Sequence, residues 1–369
     1  MTTTVELDEQ QPAAPAAAPT TAGHWRVTWH GVRTVAALEL RQRVRSTRWI
    51  VALVVWFVVV GGLTLLISGA LSAVNDGDRD LQGALLFAAV SFLVLGLGLL
   101  VTPTLASTSV NGDRAAGTLA TLQVTLLTPA EIALGKVLAA WTAACAFLAA
   151  SVPFLVFAAV VGPTPWWSVV RVVLLVAVLL AGVCGVGLGF SALVARPAGS
   201  TVLTFVTVAA LVLGTPLLFG VTYPSQEQRT TVQVYVQRTD GDGNPTECVP
   251  TTQQRSVAHT ERTWWLLAAN PFVVLADGAG TSGSVHEAEE RNDPLGMLRG
   301  AVRTARTGAS APLNECWDSG AGLVEPTSNG PVWPWGLGVN LLLGVGGFVV
   351  AVRRLSLPQR ALPRGTRVA

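Results

Sequence analysis

Lysine is almost absent from this chain: 23 of its 24 basic residues are arginines, and the single lysine, Lys136, is followed by Val137. A phosphate-cradling P-loop needs Gly-Lys-Ser/Thr, so the polypeptide carries no nucleotide site of that type. Charge of either sign is scarce, at 12% Asp, Glu, Lys and Arg. No ionisable side chain falls well inside a long apolar run, and Arg171, near the end of one, is placed to snorkel outward. Proton- and ion-coupled carriers bury such groups along their pathway, because an intramembrane charge is kept only for function. That mechanism is disfavoured here. The four histidines, His24, His30, His259 and His286, are scattered, and neither His-Glu-x-x-His nor Cys-x-x-Cys occurs, which leaves no signature of zinc or dithiol chemistry. A net charge of +2 is too small for a nucleic-acid surface.

What the chain has in excess is apolar surface. Hydrophobic residues make up 51% of it and the mean hydropathy is +0.52, well beyond a soluble domain. Six runs near 49–71, 81–103, 137–161, 169–195, 201–221 and 333–352 each reach the roughly twenty residues that cross a ~30 Å hydrocarbon core. The fold class expected is an all-α polytopic membrane protein with six transmembrane helices. Basic residues number six in 24–48, two in 104–136, one at Arg196 and five in 353–369, against Arg79 and Arg171 in the short loops of the other side. The positive-inside rule then places both termini in the cytoplasm of a multi-pass protein of the cell (plasma) membrane.

The remaining segments divide as follows. Residues 1–23, rich in Pro, Ala and Thr, read as a disordered cytosolic tail. Residues 24–48 space Trp25, Trp29, Val32, Val35, Ala36 and Leu40 by threes and fours among six arginines, the pattern of an amphipathic interface helix. Residues 49–222 hold spans one to five with a coupling elbow at 104–136, 333–352 form span six, and 353–369 are a basic cytosolic tail. Between them, 223–332 form a large polar extracytoplasmic loop domain. It contains Cys248 and Cys316, whose bridge in an oxidising compartment would close a ring worth about 4 kcal/mol. The apolar stretch 264–276, broken by Asn270-Pro271, is too short to span. It reads either as a re-entrant segment at the outer leaflet or as a buried element of the loop domain. Glycines 182, 185, 187 and 189 in the fourth run and 344, 346 and 347 in the sixth allow close helix approach, within the bundle or at a dimer seam.

The elbow carries the most specific signal. It contains Asp113-Arg114, Gly117-Thr118-Leu119, Thr128-Pro129, Glu131 and Gly135-Lys136 in that order. With its place between spans two and three and the preceding amphipathic helix, it resembles the ABC-2 family of bacterial ABC exporter permeases. Two departures are Ala120, where the family often has an acidic residue, and a single residue between Pro129 and Glu131. The resemblance implies a permease subunit that forms a translocation pathway with a second copy or homologue and is driven by cytosolic ATPase subunits. On that reading the chain is no enzyme and holds no cofactor, since ATP binds the partner. ATPase coupling falls to Arg114, Thr118, Leu119, Thr128, Pro129, Glu131 and Lys136, and the rim of the docking groove to Glu39, Arg41 and Arg45. Charge reversal at Glu131 is then expected to uncouple transport without unfolding the protein. Partners are the ATPase, a second permease and the lipid bilayer, with no nucleic acid. The alternative is a six-helix membrane anchor or assembly factor presenting an external binding domain.

Overall fold

The computed structural model describes residues 23, 25–74, 79–118, 127–162, 164–239, 245–281, 293–308, 313–314 and 330–356. Helix α1 (Trp29–Val44) precedes the first span, α2 (Thr47–Val74), and the second, α3 (Arg79–Ala106). A single-turn α4 (Asn111–Ala115) leads toward the third span, α5 (Pro129–Val161), and the fourth, α6 (Trp166–Leu193). The fifth span, Pro197–Gln226, is composite: α7 (Pro197–Ala209), a π-helical turn (Ala210–Gly214), α8 (Thr215–Thr222) and a short 3-10 turn. The sixth is α12 (Trp333–Ser356), and these six helices are long and apolar enough to cross a membrane. With no water in the bilayer core to satisfy peptide groups, such runs close their hydrogen bonds internally as helices.

Two boundaries differ from the sequence expectation. Helix α1 starts at Trp29, because Thr28 is its N-cap and its hydroxyl accepts from Gly31 N. Trp25 therefore lies ahead of the helix. The third span starts at Pro129, since Thr128 and Glu131 form a capping box with Pro at the first helical position. No separate elbow helix runs through 129–134; those residues are the first turns of the span. At 33 residues and 1.5 Å each, α5 is ~50 Å long, and the excess over the hydrocarbon core is where α1 packs.

The core lies between the second, third and fourth spans. Leu86, Phe87, Val94, Leu95, Leu155, Val176 and Leu179 are all but fully buried there. Trp56 Nε1 donates to Ser151 Oγ (2.9 Å), pinning the first span to the third, and Trp141 Nε1 donates to the Ala177 carbonyl (2.8 Å), pinning third to fourth. The glycines settle into an internal seam. A Cβ on Gly185 would lie 2.4 Å from the Gly344 carbonyl oxygen and one on Gly189 2.6 Å from Gly347 Cα, so the fourth and sixth spans touch backbone to backbone. Gly346 alone of the set faces open space.

The loop between the fifth and sixth spans departs from the all-α expectation. Strands β1 (Glu227–Thr239) and β2 (Pro245–Ala258) form a long antiparallel hairpin, and β3 (Leu313–Asn314) pairs parallel with β1 at Val234 and Tyr235, giving the order β2-β1-β3. Val232 and Val234 are buried while Thr231 and Gln233 are exposed, the period-two alternation of a half-buried strand. Helices α9 (Trp264–Ala268) and α10 (Pro271–Ala279) follow, then α11 (Pro294–Thr307). Asn270 caps α10, its side chain accepting from Phe272 N (2.9 Å). Val274, Leu275, Ala276 and Ala279 of α10 join the cluster formed by the spans, so this segment packs on the bundle. Cys248 is disulfide-bonded, and Cys316 lies outside the described residues.

Candidate functional site

The elements gathered at the α1 end of the bundle form one polar junction. Glu131, in the first turn of the third span, is 3% exposed. Its Oε1 accepts from Thr28 N (2.7 Å) and Thr28 Oγ1 (2.5 Å), and its Oε2 from Thr128 N (2.8 Å). Thr128 Oγ1 in turn donates to the Arg26 carbonyl (2.6 Å). One carboxylate thus caps two helices at once, its own and the start of α1. Charge-assisted bonds to amides are among the stronger polar contacts a protein makes.

One turn further on, Lys136 ties the other half of α1 to the span. Its side chain is fully buried, and its Nζ donates to Glu39 Oε1 (2.5 Å) and to Asp113 of α4. The two carboxylates are partly exposed, at 17% and 28%, so the buried ammonium is neutralised at the edge of water. Between these fixings the helices meet closely. A Cβ on Gly135 would lie 2.6 Å from Val35 Cβ, and one on Gly31 2.7 Å from the Glu131 carboxyl carbon. Val32 and Val35 fill the contact. Arg43 Nη2 adds a bond to the Leu105 carbonyl at the end of the second span (3.0 Å).

The outward face of α1 is different. His30, Arg33, Thr34, Arg41, Gln42 and Arg45 line a groove of about 520 Å³, with no acidic side chain among them. Trp25 and Trp29, at the start of this segment, are exposed. The apolar stripe expected of this segment is therefore split: its valines pack on the third span and its tryptophans face outward.

The expected site residues sort into three groups. Thr128, Pro129, Glu131, Lys136 and Glu39 come together, but inside the junction. Glu131 and Lys136 are buried with their charges paired inside the junction, and Glu39, partly exposed, faces Lys136. Arg41 and Arg45 are exposed on the groove. Arg114 lies half-buried on α4, its Nε without a hydrogen-bond partner among the described residues. Thr118 is exposed and donates to the Asp113 carbonyl (3.3 Å) just after Gly117, whose φ of 73° ends α4 in the left-handed conformation that favours glycine. Leu119 lies outside the described residues. Asn270 and Pro271 sit at the opposite end, where Asn270 Nδ2 donates to the Val212 carbonyl (2.8 Å) and Thr215 Oγ1 (3.2 Å) of the fifth span.

Sequence reasoning missed Thr28, Gly31, Arg43 and Asp113 as parts of the junction. Asp113 and Gly135 were within the elbow motif; the small residue beside each charge was the usable sign, since a close approach demands one.

A family model described as "ABC-2 family transporter protein" matches residues 33–284, from within α1 through α10. No curated protein matches the chain.

Proposed function

The chain belongs to the ABC-2 family of transporters, and from that premise we propose that it is the permease subunit of an exporter, half of a dimeric pathway driven by separate ATPase subunits. The observation that carries this reading is the division of α1 into two faces. One face is fixed to the third span by Glu131 and Lys136; the other presents His30, Arg33, Arg41 and Arg45 around an open groove. A helix clamped to a membrane span and basic on its free side is suited to receive a partner's push and pass it on as a rigid body.

On this reading the α1 end is cytoplasmic, in accord with the excess of arginine there, and the hairpin end lies outside the cell membrane. ATP is held by the ATPase, which approaches the arginine face of α1 and the elbow near Arg114. Glu131, Lys136 and Glu39 act behind that surface, transmitting displacement to the third span. The pathway, free of intramembrane charge, suits an amphipathic or lipidic cargo. The bridge between Cys248 and Cys316 is part of the proposal.

The test is purification from native membranes in mild detergent with mass spectrometry of whatever remains bound. A P-loop ATPase retained by the wild type and lost in the Arg33→Glu, Arg41→Glu, Arg45→Glu variant supports the reading. A chain that purifies alone, or only with an exported protein, would falsify it and favour the membrane anchor with an external binding domain.

A further inference from the structure

Beside the junction lies a second buried polar cluster, centred on Asn111, the first residue of α4 and fully buried. Its Nδ2 donates to Ser200 Oγ (2.7 Å) and to the Val194 carbonyl (3.2 Å). Its Oδ1 accepts from Ser191 Oγ (3.1 Å), and that hydroxyl itself accepts from Val110 N (2.9 Å) and Asn111 N (3.2 Å). Ser200 Oγ lies 2.7 Å from the Ser107 carbonyl, and Ser107 Oγ meets Thr201 Oγ1 at 2.8 Å. The turn after the second span is thus bonded to the end of the fourth and the start of the fifth. Every polar atom of the Asn111 side chain is used.

We propose that Asn111 is the positioning residue through which α4, held to the third span by Asp113 and Lys136, sets the position of the fifth span. One residue, Gly112, separates Asn111 from Asp113, and α4 is a single helical turn, so the two cannot move independently. A carboxamide buried among these partners holds them together, because each group left unpaired would be stranded away from water. A displacement of α4 therefore carries residues 191–201 with it.

The fifth span is among the least packed of the six. In the single chain 17% of its apolar window is buried and 22% of the first span's, against 50% for the second and fourth spans. With so little packing inside the chain, the polar bonds at its start and at its middle contribute much to its position. Midway along it Asn270 grips the π-helical turn through the Val212 carbonyl and, just beyond, Thr215, and such turns are frequent where helices serve function. The link from Asp113 to the fifth span stands on this geometry alone; that a docked ATPase is what displaces α4 rests on the proposed function.

The experiment is hydrogen–deuterium exchange on the full chain in lipid nanodiscs, reading the peptide over 197–208. Asp113→Asn, which loosens α4 from Lys136, is expected to raise exchange of the 201–206 amides about tenfold, and to add less than about twofold when Asn111→Ala is already present. A structural Asn111 with no part in the link gives equal increments on both backgrounds, which overturns the proposal, as does an Asp113→Asn variant whose fifth span exchanges like wild type. Should Asn111→Ala not fold, Ser200→Ala removes one acceptor of the same carboxamide, and the same comparison applies. No ATPase is needed, so this outcome and that of the purification fail separately.

Discussion

The two ends of the bundle are built on the same device and put it to different use. At the α1 end a buried carboxylate, Glu131, gathers the amides of Thr28 and Thr128. At the hairpin end Asp277, with a side chain wholly buried, gathers Val332 N (2.7 Å) and Trp333 N (2.6 Å) and pairs with Arg303 Nε (2.7 Å). That second knot holds α10, α11 and the start of the sixth span together, and Asn340 Nδ2 adds a bond to the Ala269 carbonyl (3.0 Å). Two arginines of α11 are turned inward at the hairpin end, while Arg229, Arg238 and Arg262 are exposed: besides Arg303, Arg306 stacks over Trp264 at 5.1 Å and lies against the Gly330 and Pro331 carbonyls. At the α1 end Arg33, Arg41 and Arg45 remain on an open groove. Both ends thus have a carboxylate knot; what distinguishes the α1 end is that three arginines of one helix are gathered along a single groove.

That contrast can be broken residue by residue. The largest effect on stability is expected from Lys136→Glu, which places three carboxylates together with no cation: about 3–5 kcal/mol, read as a fall in thermal midpoint in detergent with exchange of 29–44 strongly raised. Asp277→Ala should cost about 2–3 kcal/mol by orphaning two amides and Arg303. Its exchange signature belongs at 271–279 and 294–307, with α1 unchanged; a change at α1 instead would mean that the ends are not separate knots. Glu131→Gln keeps the shape but weakens three charge-assisted bonds, for about 1–2 kcal/mol, and loosens 26–31 first. Charge reversal at this position, expected from sequence to spare the fold, should also lower the thermal midpoint, because the site is buried. Arg41→Glu with Arg45→Glu, both on exposed surface, should shift stability by no more than about 0.5 kcal/mol and yet abolish retention of the ATPase.

Much of the frame was legible in the sequence. Six apolar runs of sufficient length admit one solution in a bilayer, and Thr128-Pro129-Ala130-Glu131 carries its own capping chemistry. Asn270-Pro271 likewise marked a helix start. What failed to show is whatever depends on tertiary partners. The family resemblance singled out Glu131 and Lys136, but whether a carboxylate faces a neighbour or a solvent depends on where α1 lies, and Gly31 and Gly135 give α1 the space to lie close. The hairpin was written in Thr231 to Val236 as a plain alternation, masked by its setting in a polar loop. Asn111 gave no periodic signal at all: a lone amide beside an apolar run acquires meaning only from Ser191 and Ser200, some eighty to ninety residues later.

The claim that the α1 end receives an ATPase is tested most directly by photo-crosslinking in native membranes, with a benzophenone amino acid replacing Gln42 on the groove or, in a separate variant, Gln228 on the exposed hairpin. The account predicts an adduct between position 42 and a P-loop ATPase, and none from position 228. An ATPase adduct from position 228, or position 42 reacting only with lipid while the chain remains folded, would contradict it.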